Sequence, residues 1–281
     1  MSGCLGDSLG AARAQLSEIM PPHEAEREAR LILCHALDLR SAQLLSRLDQ
    51  AWPVDGAQQR RFLDALSARR NRQPLSQILG TWDFYGRPFR VTSDTLTPRP
   101  DTETLVELAL AEPFSRLLDL GTGTGAIAIT LLAERPEVTG LATDISAAAL
   151  DVAHHNAQAA GVAERLTLTQ ADWFAGVDGA FDLIVSNPPY VDAATYGTLQ
   201  PEVTQWEPSI ALTPGGDGLS AYRVIAAHAP AHLSPGGRLI VEIGYDQGVA
   251  VARLMSAAGL ADVRLHADLS GKDRVICATS P

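Results

Sequence analysis

Hydrophobic and polar positions divide the chain into a stretch of helical period and a longer stretch in which short apolar runs alternate with helical segments. From Leu9 to about Arg72 apolar residues recur at three and four: Leu9, Ala12, Leu16, Ile19, then Ala25, Ala29, Ile32, Leu33, Ala36, Leu37. Pro21-Pro22 and Trp52-Pro53 punctuate the pattern, and a third amphipathic segment carries Phe62, Leu63 and Leu66 between Arg60-Arg61 and Arg69-Arg70. No β-type alternation interrupts it, so a small helical bundle is expected. The arginines read either as a solvated helix face or as a docking surface for an acidic or nucleic-acid partner, the solvated face being the commoner use of such runs.

Trp82-Asp83-Phe84 and Phe89-Arg90-Val91 alternate in period two around Tyr85-Gly86-Arg87-Pro88, the pattern of a hairpin. In Thr97-Pro98-Arg99-Pro100-Asp101-Thr102-Glu103 the prolines stop extended structure, and Pro100 or Asp101 opens a helix through Leu105 to Ala111. From Arg116 onward strands and helices alternate, which predicts a parallel sheet covered on both faces. Strands are expected at Leu117–Leu120, Val138–Thr143, Leu166–Gln170, Phe181–Ser186 and Arg238–Glu242, with two more near Val263 and Val275. Helices are expected at Ala126–Arg135, Ala147–Ala160, Ser220–His232 and Gln247–Ala258. The insert from Val191 to Leu219 is rich in Pro and Gly, and loops of that length are usually functional or disordered.

At 281 residues the chain is long enough for one large domain and one small. Its formal net charge of −11 argues against a broad basic face for duplex phosphate. Cys4, Cys34 and Cys277 are scattered, in neither disulfide nor zinc spacing. No apolar run spans a bilayer and no signal-peptide pattern opens the chain, so a soluble, cytoplasmic protein is expected.

Candidate chemistry lies where the expected strands end. Asp119-Leu120-Gly121-Thr122-Gly123-Thr124-Gly125 joins the first strand of the sheet to its helix, with glycines for a tight turn and close approach to a nucleotide cofactor. Asp144 ends the second strand roughly twenty residues on, where a carboxylate meets a ribose hydroxyl pair. The loop is G-x-G-x-G rather than the dinucleotide G-x-G-x-x-G, and the acid before it repels phosphate and attracts a cation, which points to S-adenosylmethionine. Asp172-Trp173 ends the third strand, where adenine would find an apolar face and an acceptor. Asn187-Pro188-Pro189-Tyr190 ends the fourth, presenting a carboxamide beside a rigid, donor-poor backbone and an aromatic ring. Taken alone, that tetrapeptide is equally a strand-terminating turn. Four successive strand ends converging on one edge favour a cleft. His228 and His232 stand four apart on an expected helix, but no acidic third ligand completes a metal site.

These residues make the chain resemble the S-adenosylmethionine-dependent methyltransferases with an (Asp/Asn/Ser)-Pro-Pro-(Tyr/Phe) motif, and within them the peptide-release-factor glutamine methyltransferases, PrmC or HemK. The resemblance extends to Pro98–Glu103, Glu207-Pro208, Ala211-Leu212 and Glu242-Ile243-Gly244. It implies an α/β, Rossmann-like, seven-stranded methyltransferase domain at 99–281, a β-hairpin linker at 81–98 and a helical substrate-recognition domain at 1–80. The implied substrate is the glutamine of the Gly-Gly-Gln motif in class-1 release factors, methylated at its side-chain amide nitrogen. The expected cofactor residues are Asp119, Gly121, Thr122, Gly123, Thr124, Gly125, Asp144, Asp172, Trp173 and Asn187, and the catalytic set is Asn187, Pro188, Pro189 and Tyr190. Resemblance also raises Arg99 and Glu103 to site candidates. A monomer is expected, with no metal, no membrane and no direct nucleic-acid contact. The alternatives are a nucleic-acid amino methyltransferase of adenine-N6 type, since the tetrapeptide can grip a flipped base, and a non-catalytic protein keeping the fold.

Overall fold

The computed structural model describes residues 3–53 and 56–281; residues 1, 2, 54 and 55 of the expected 1–80 domain lie outside that range. Two compact units are present, Met1–Gly80 together with Pro201–Trp206, and Thr81–Gln200 together with Glu207–Pro281. The first contains helices α1 (Leu5–Leu16), α2 (Pro22–Leu37), α3 (Ser41–Leu44), α4 (Ala57–Arg70) and α5 (Leu75–Leu79). Ala12, Leu16, Ala29, Ile32, Leu33, Phe62 and Leu66 form its buried stripe, as the three-and-four spacing requires. Pro22 sits at the first turn of α2, where its missing N–H is no loss, and Asp38 stops the helix in the left-handed conformation.

The second unit opens with the hairpin β1 (Thr81–Phe84) and β2 (Arg87–Arg90), then α6 (Glu103–Leu110), β3 (Arg116–Leu120), α7 (Ala126–Glu134), β4 (Thr139–Asp144), α8 (Ala147–Ala159), β5 (Leu166–Gln170) and β6 (Phe181–Ser186). The insert that follows contains the short helices α9 (Ala193–Tyr196) and α10 (Pro201–Trp206). After it come α11 (Ser220–His232), β7 (Leu233–Glu242), α12 (Gly248–Ala257), β8 (Ala261–Ala267) and β9 (Asp273–Thr279).

Two findings bear on how the chain divides. The residues of α10 pack with the helical unit, because buried Arg69 donates to both Glu28 and Glu202, at 2.5 and 3.0 Å, and Arg72 reaches Glu202 at 2.9 Å. A carboxylate pair around one guanidinium compensates a charge that burial would otherwise penalise. Of the arginines flanking the third amphipathic segment, Arg69 is therefore no part of a solvated face or docking surface, while Arg61 pairs with Asp38 at 2.9 Å. The hairpin also belongs to the larger unit: Phe84 and Phe89 are buried in the same core as α6 and α7.

Among the described residues the main sheet has seven strands in the order β5-β4-β3-β6-β7-β9-β8. The first five are parallel, and β9 runs antiparallel to both β7 and β8, so the expected parallel sheet is a mixed one. Side-chain alternation feeds two cores: Leu117, Leu183, Val185 and Ile240 face α6 and α7, while Leu118, Leu120, Ile184, Leu239 and Val241 face α11 and α12. Both faces are covered, which is why these strands read as continuous apolar runs.

Register decides what the sheet presents. Leu120 pairs with both Thr143 and Ser186, and Ser186 pairs with Val241. The residues that follow in each strand are Gly121, Asp144, Asn187 and Glu242, so one row along the carboxyl edge carries all four.

Two arginines, Arg238 buried and Arg165 half-buried, close helix ends. Arg165 donates to the carbonyls of Leu132, Arg135 and Val138 at 2.8, 3.1 and 2.8 Å, in the last turn of α7 and just past it, and Arg238 donates to those of Leu108, Ala109 and Glu112 at 3.1, 3.0 and 3.1 Å, in the last turn of α6 and just past it. These carbonyls have no partner within their helices. Arg165→Met and Arg238→Met should each lower stability by about 2–4 kcal/mol in urea denaturation, whereas Arg13→Met, in an exposed ion pair, should leave it nearly unchanged.

Candidate active site

A cleft of about 350 Å³ opens over the row, within the range of roughly 300–1,000 Å³ usual for small-molecule sites. Its floor is the loop after β3. Gly121, Gly123 and Gly125 have φ of 70°, 56° and 80°, the left-handed region that side chains avoid, and this explains why glycine occupies every second position. Gly121 N and Thr122 N both donate to Thr143 O at 2.9 Å, lashing the loop to the end of β4. A Cβ on Gly125 would meet Ile129 Cδ1 at 2.6 Å, so the third glycine also lets α7 begin.

Asp144 faces the cleft. Its two oxygens accept from Gly123 N and Ser146 N at 2.9 Å each, so the carboxylate holds the glycine loop on one side and the start of α8 on the other. Asp172 and Trp173 join the wall beside exposed Ile145. Trp173 has φ of 53°, a strained conformation for a bulky residue that persists only where its surroundings impose it.

Asn187 and Pro189 line the cleft, whereas buried Pro188 and half-buried Tyr190 of the expected catalytic set stand outside its lining. Asn187 Nδ2 donates to Thr102 Oγ1 at 3.2 Å. Thr102 Oγ1 in turn donates to Glu242 Oε2 at 2.6 Å, and the Tyr190 hydroxyl donates to Glu242 Oε1 at 3.4 Å. Glu242 is 1 % exposed, and burial pushes its carboxyl up to about 7 despite the hydrogen bond from Thr102 and the charge of Arg274. Burial first, and the Glu242 charge second, also raise the Tyr190 hydroxyl well above its ordinary value, so Tyr190 is a neutral donor.

Several expected residues stand outside the lining. Asp119 is fully buried under the loop and accepts from Thr122 Oγ1 at 2.7 Å. Burial, with nearby Asp144 adding to it, raises its carboxyl to about 7. Glu103 accepts from Tyr85 N at 2.9 Å and so braces the hairpin, whereas Arg99 lines the cleft and pairs with buried Glu207 at 2.7 Å. Glu207 also accepts from Thr97 N at 3.3 Å, so the insert clamps the Thr97–Arg99 segment at the rim.

Sequence reasoning did not single out Thr95, Thr97, Ile145 and Ile210, which line the cleft. It also passed over buried Asn156, which accepts from Arg90 N at 2.7 Å and donates to Arg90 O and Thr124 O, tying the hairpin to the glycine loop. The one available signal was a polar residue on the apolar face of α8, where an unpaired amide would be costly.

The Methyltransferase small domain model matches residues 100–217, and the PrmC N-terminal domain model matches residues 7–80. A release factor glutamine methyltransferase of Cereibacter sphaeroides is 58% identical over 258 residues, 92% of this chain and 92% of that protein. The chain belongs to the release factor glutamine methyltransferases. Another member of the family, from Rhodospirillum rubrum, is 44% identical over 273 residues, 96% of this chain and 82% of its own. The fold also appears in a methyltransferase from Pyrococcus furiosus, with a TM-score of 0.54 at 16% identity over 80% of this chain and 98% of that one.

Enzymes of the release factor glutamine methyltransferase family use S-adenosylmethionine, and the cleft fits it. Gly121 and Gly123 leave the floor free of side chains, with nothing within 4 Å of a Cβ at either position. Ile145 and Trp173 supply apolar surface, and Thr95, buried in the wall, has no hydrogen-bond partner for its hydroxyl among the described residues. No helix among those residues is long and apolar enough to cross a membrane, and they contain no cluster of metal-binding side chains.

Asp119 and Glu242 make stability depend on pH. Their ordinary values are 3.8 and 4.5, and both are raised to about 7 in the folded protein. The folded state thus holds protons that the unfolded chain releases, so this contribution is full below about 4 and is lost as pH rises through about 7. Relative to wild type, Asp119→Asn should gain thermal stability as pH is raised from about 5 to about 8, read as the difference in Tm. Parallel Tm curves would mean that the buried carboxyl is not the titrating group.

Proposed function

We propose that this enzyme transfers a methyl group from S-adenosylmethionine to the side-chain amide nitrogen, N5, of the glutamine in the Gly-Gly-Gln motif of class-1 peptide chain release factors. The observation that carries this reading is the placement of Asn187 in the same row as the glycine loop and Asp144, with its carboxamide held by Thr102. S-adenosylmethionine supplies the activated methyl group, and its thioether product is S-adenosylhomocysteine.

An amide nitrogen is a poor nucleophile because its lone pair is delocalised into the carbonyl. The site must hold the amide in line with the methyl and stabilise positive charge as it develops on nitrogen. Asn187 Oδ1 and the Pro188 carbonyl would accept the two N–H bonds, fixing the plane of the amide and pushing electron density toward nitrogen. Pro188 and Pro189 keep that backbone rigid and free of competing donors. Tyr190, outside the cleft lining, holds Glu242 through its hydroxyl as a neutral donor. No base need act in the transfer itself, since the methylated nitrogen becomes strongly acidic and releases its proton afterwards. Asp144 would take the ribose hydroxyls, with Asp172 and Trp173 at the adenine. The helical unit would recognise the release factor, the protein acting as a monomer in the cytoplasm without nucleic acid.

Incubation with labelled S-adenosylmethionine and, separately, a release factor, the same factor with its motif glutamine replaced, and DNA tests the proposal. Label is expected in the intact factor alone, and label in DNA would overturn it in favour of base methylation. Asn187→Ala should lower kcat by more than about 100-fold while donor affinity changes little; loss of both together would place its role in the cofactor site. Asp144→Ala should do the opposite, weakening donor binding by about 10- to 100-fold, as loss of charge-assisted hydrogen bonds demands, with kcat at saturating donor much less affected. Calorimetric titration separates the two.

A further inference from the structure

The methyl-transfer proposal requires the Asn187 oxygen, not its nitrogen, to meet the substrate amide, and an isolated carboxamide has no preference between its two nearly isosteric orientations. The orientation is decided by groups that sequence reasoning gave no role. Glu242, at the end of β7, is buried, and in its ionised form it can only accept, so the Thr102 hydroxyl spends its single proton on Glu242 Oε2 at 2.6 Å. Thr102 Oγ1 therefore has only lone pairs left to offer, and Asn187 can satisfy it only with the nitrogen, which donates at 3.2 Å. The carboxamide oxygen is then the arm available to a substrate.

We infer that Thr102 and Glu242 form a positioning relay that sets the orientation of the Asn187 carboxamide for amide methylation. The relay rests on the function proposed above, but its parts are local. Thr102 is 4 % exposed and precedes α6, so the helix start fixes its backbone. Glu242 is held by more than Thr102: the Tyr190 hydroxyl donates to its other oxygen, and the Tyr222 hydroxyl donates to its backbone carbonyl at 2.9 Å. Arg274, paired with Asp101 and Asp268 at 3.1 Å each, contributes favourable charge nearby. Four chain segments thus converge on one carboxyl group that reaches the cleft lining through Thr102. A carboxyl buried solely for packing would be replaced by an apolar group at a gain in stability; here it serves as the acceptor that removes the hydroxyl proton of Thr102 from competition.

Thr102→Val keeps the shape of the side chain and removes both the donor to Glu242 and the acceptor for Asn187. It should lower kcat by about 10- to 100-fold, the equivalent of leaving a buried donor unpaired. KM for the release factor and donor affinity by calorimetry should stay within a factor of two to three, as should be expected of a residue that acts through the reacting geometry. Thr102→Ser, which restores the hydroxyl, should recover most of the rate, and Thr102→Ala should not. In the absence of any ligand, the Asn187 side-chain NH2 signal in a ¹⁵N–¹H spectrum, assigned by its disappearance in Asn187→Ala, should shift or broaden in Thr102→Val and return in Thr102→Ser. An unchanged kcat and an unchanged NH2 signal in Thr102→Val, in an enzyme whose wild type methylates the factor, would overturn the relay and leave the proposed function intact. A wild type that labels no release factor would overturn the function itself, while the NH2 signal would still report whether Thr102 holds Asn187. A matching fall in rate for Thr102→Val and Thr102→Ser, accompanied by a large drop in Tm, would overturn the relay in favour of a packing role.

Discussion

In-register pairing of parallel strands is the constraint on which the site depends. Each hydrogen bond between neighbouring strands fixes the level at which the next strand leaves the sheet, and a slip of one residue would turn every side chain to the other face. Because Leu120 is level with Thr143 and Ser186, and Ser186 with Val241, four chemically different residues leave the sheet side by side. Glycine, aspartate, asparagine and glutamate arrive in one row without any of them having to be reached by a flexible loop. The apolar interior of the strands, buried on both faces, anchors that row. Rigid scaffolds position catalytic groups more accurately than loops do, and this edge uses that advantage four times.

The row succeeds only because burial is compensated locally. Asp119 and Glu242 are almost wholly removed from water, and each keeps a hydroxyl donor within 2.7 Å, Thr122 in one case and Thr102 in the other. Neither carboxyl lines the cleft. Each instead stiffens a neighbour that does, Thr122 in the glycine loop and Thr102 beside Asn187. Polar groups in a low-dielectric interior are costly when unpaired and strongly directional when paired. Two buried acids thus anchor hydroxyls, at the base of the loop and beside Asn187.

Periodicity made the fold legible, and the order of strand ends made most of the site legible. Gly121, Gly123, Asp144, Asp172, Trp173, Asn187 and Pro189 were reachable because each follows an apolar run at the point where a strand must stop, and all of them line the cleft. The antiparallel pairing of β9 was hidden, since strand direction leaves no mark on an alternation of apolar residues. So was the return of Pro201–Trp206 to the helical unit, which depends on Arg69 and Glu202 lying 133 positions apart and meeting as ions. Asn156, Glu207 and Thr102 share that difficulty: their partners are 32 to 110 residues away for the first two and 140 for Thr102 with Glu242, and no local spacing announces such a pairing. Asp119 shows the converse limit. Its place before the glycines suggested an attraction for a cation, but a residue inside the last turn of a buried strand points under the loop rather than over it.

The chemistry of the row is less specific than the enzyme must be. In the proposed mechanism a carboxamide oxygen and a proline carbonyl would recognise any planar nitrogen that carries two protons, whether an amide, an aromatic amine or the exocyclic group of a base. Discrimination must therefore come from outside the row, through contacts that exclude wrong partners as well as contacts that favour the right one. The net charge of −11 would act in that sense, since a phosphate backbone approaching the chain would meet repulsion at long range. On the proposed function, selectivity for a protein glutamine over a nucleobase would have a global electrostatic part, leaving the Asn-Pro-Pro-Tyr loop to hold one amide flat and in line.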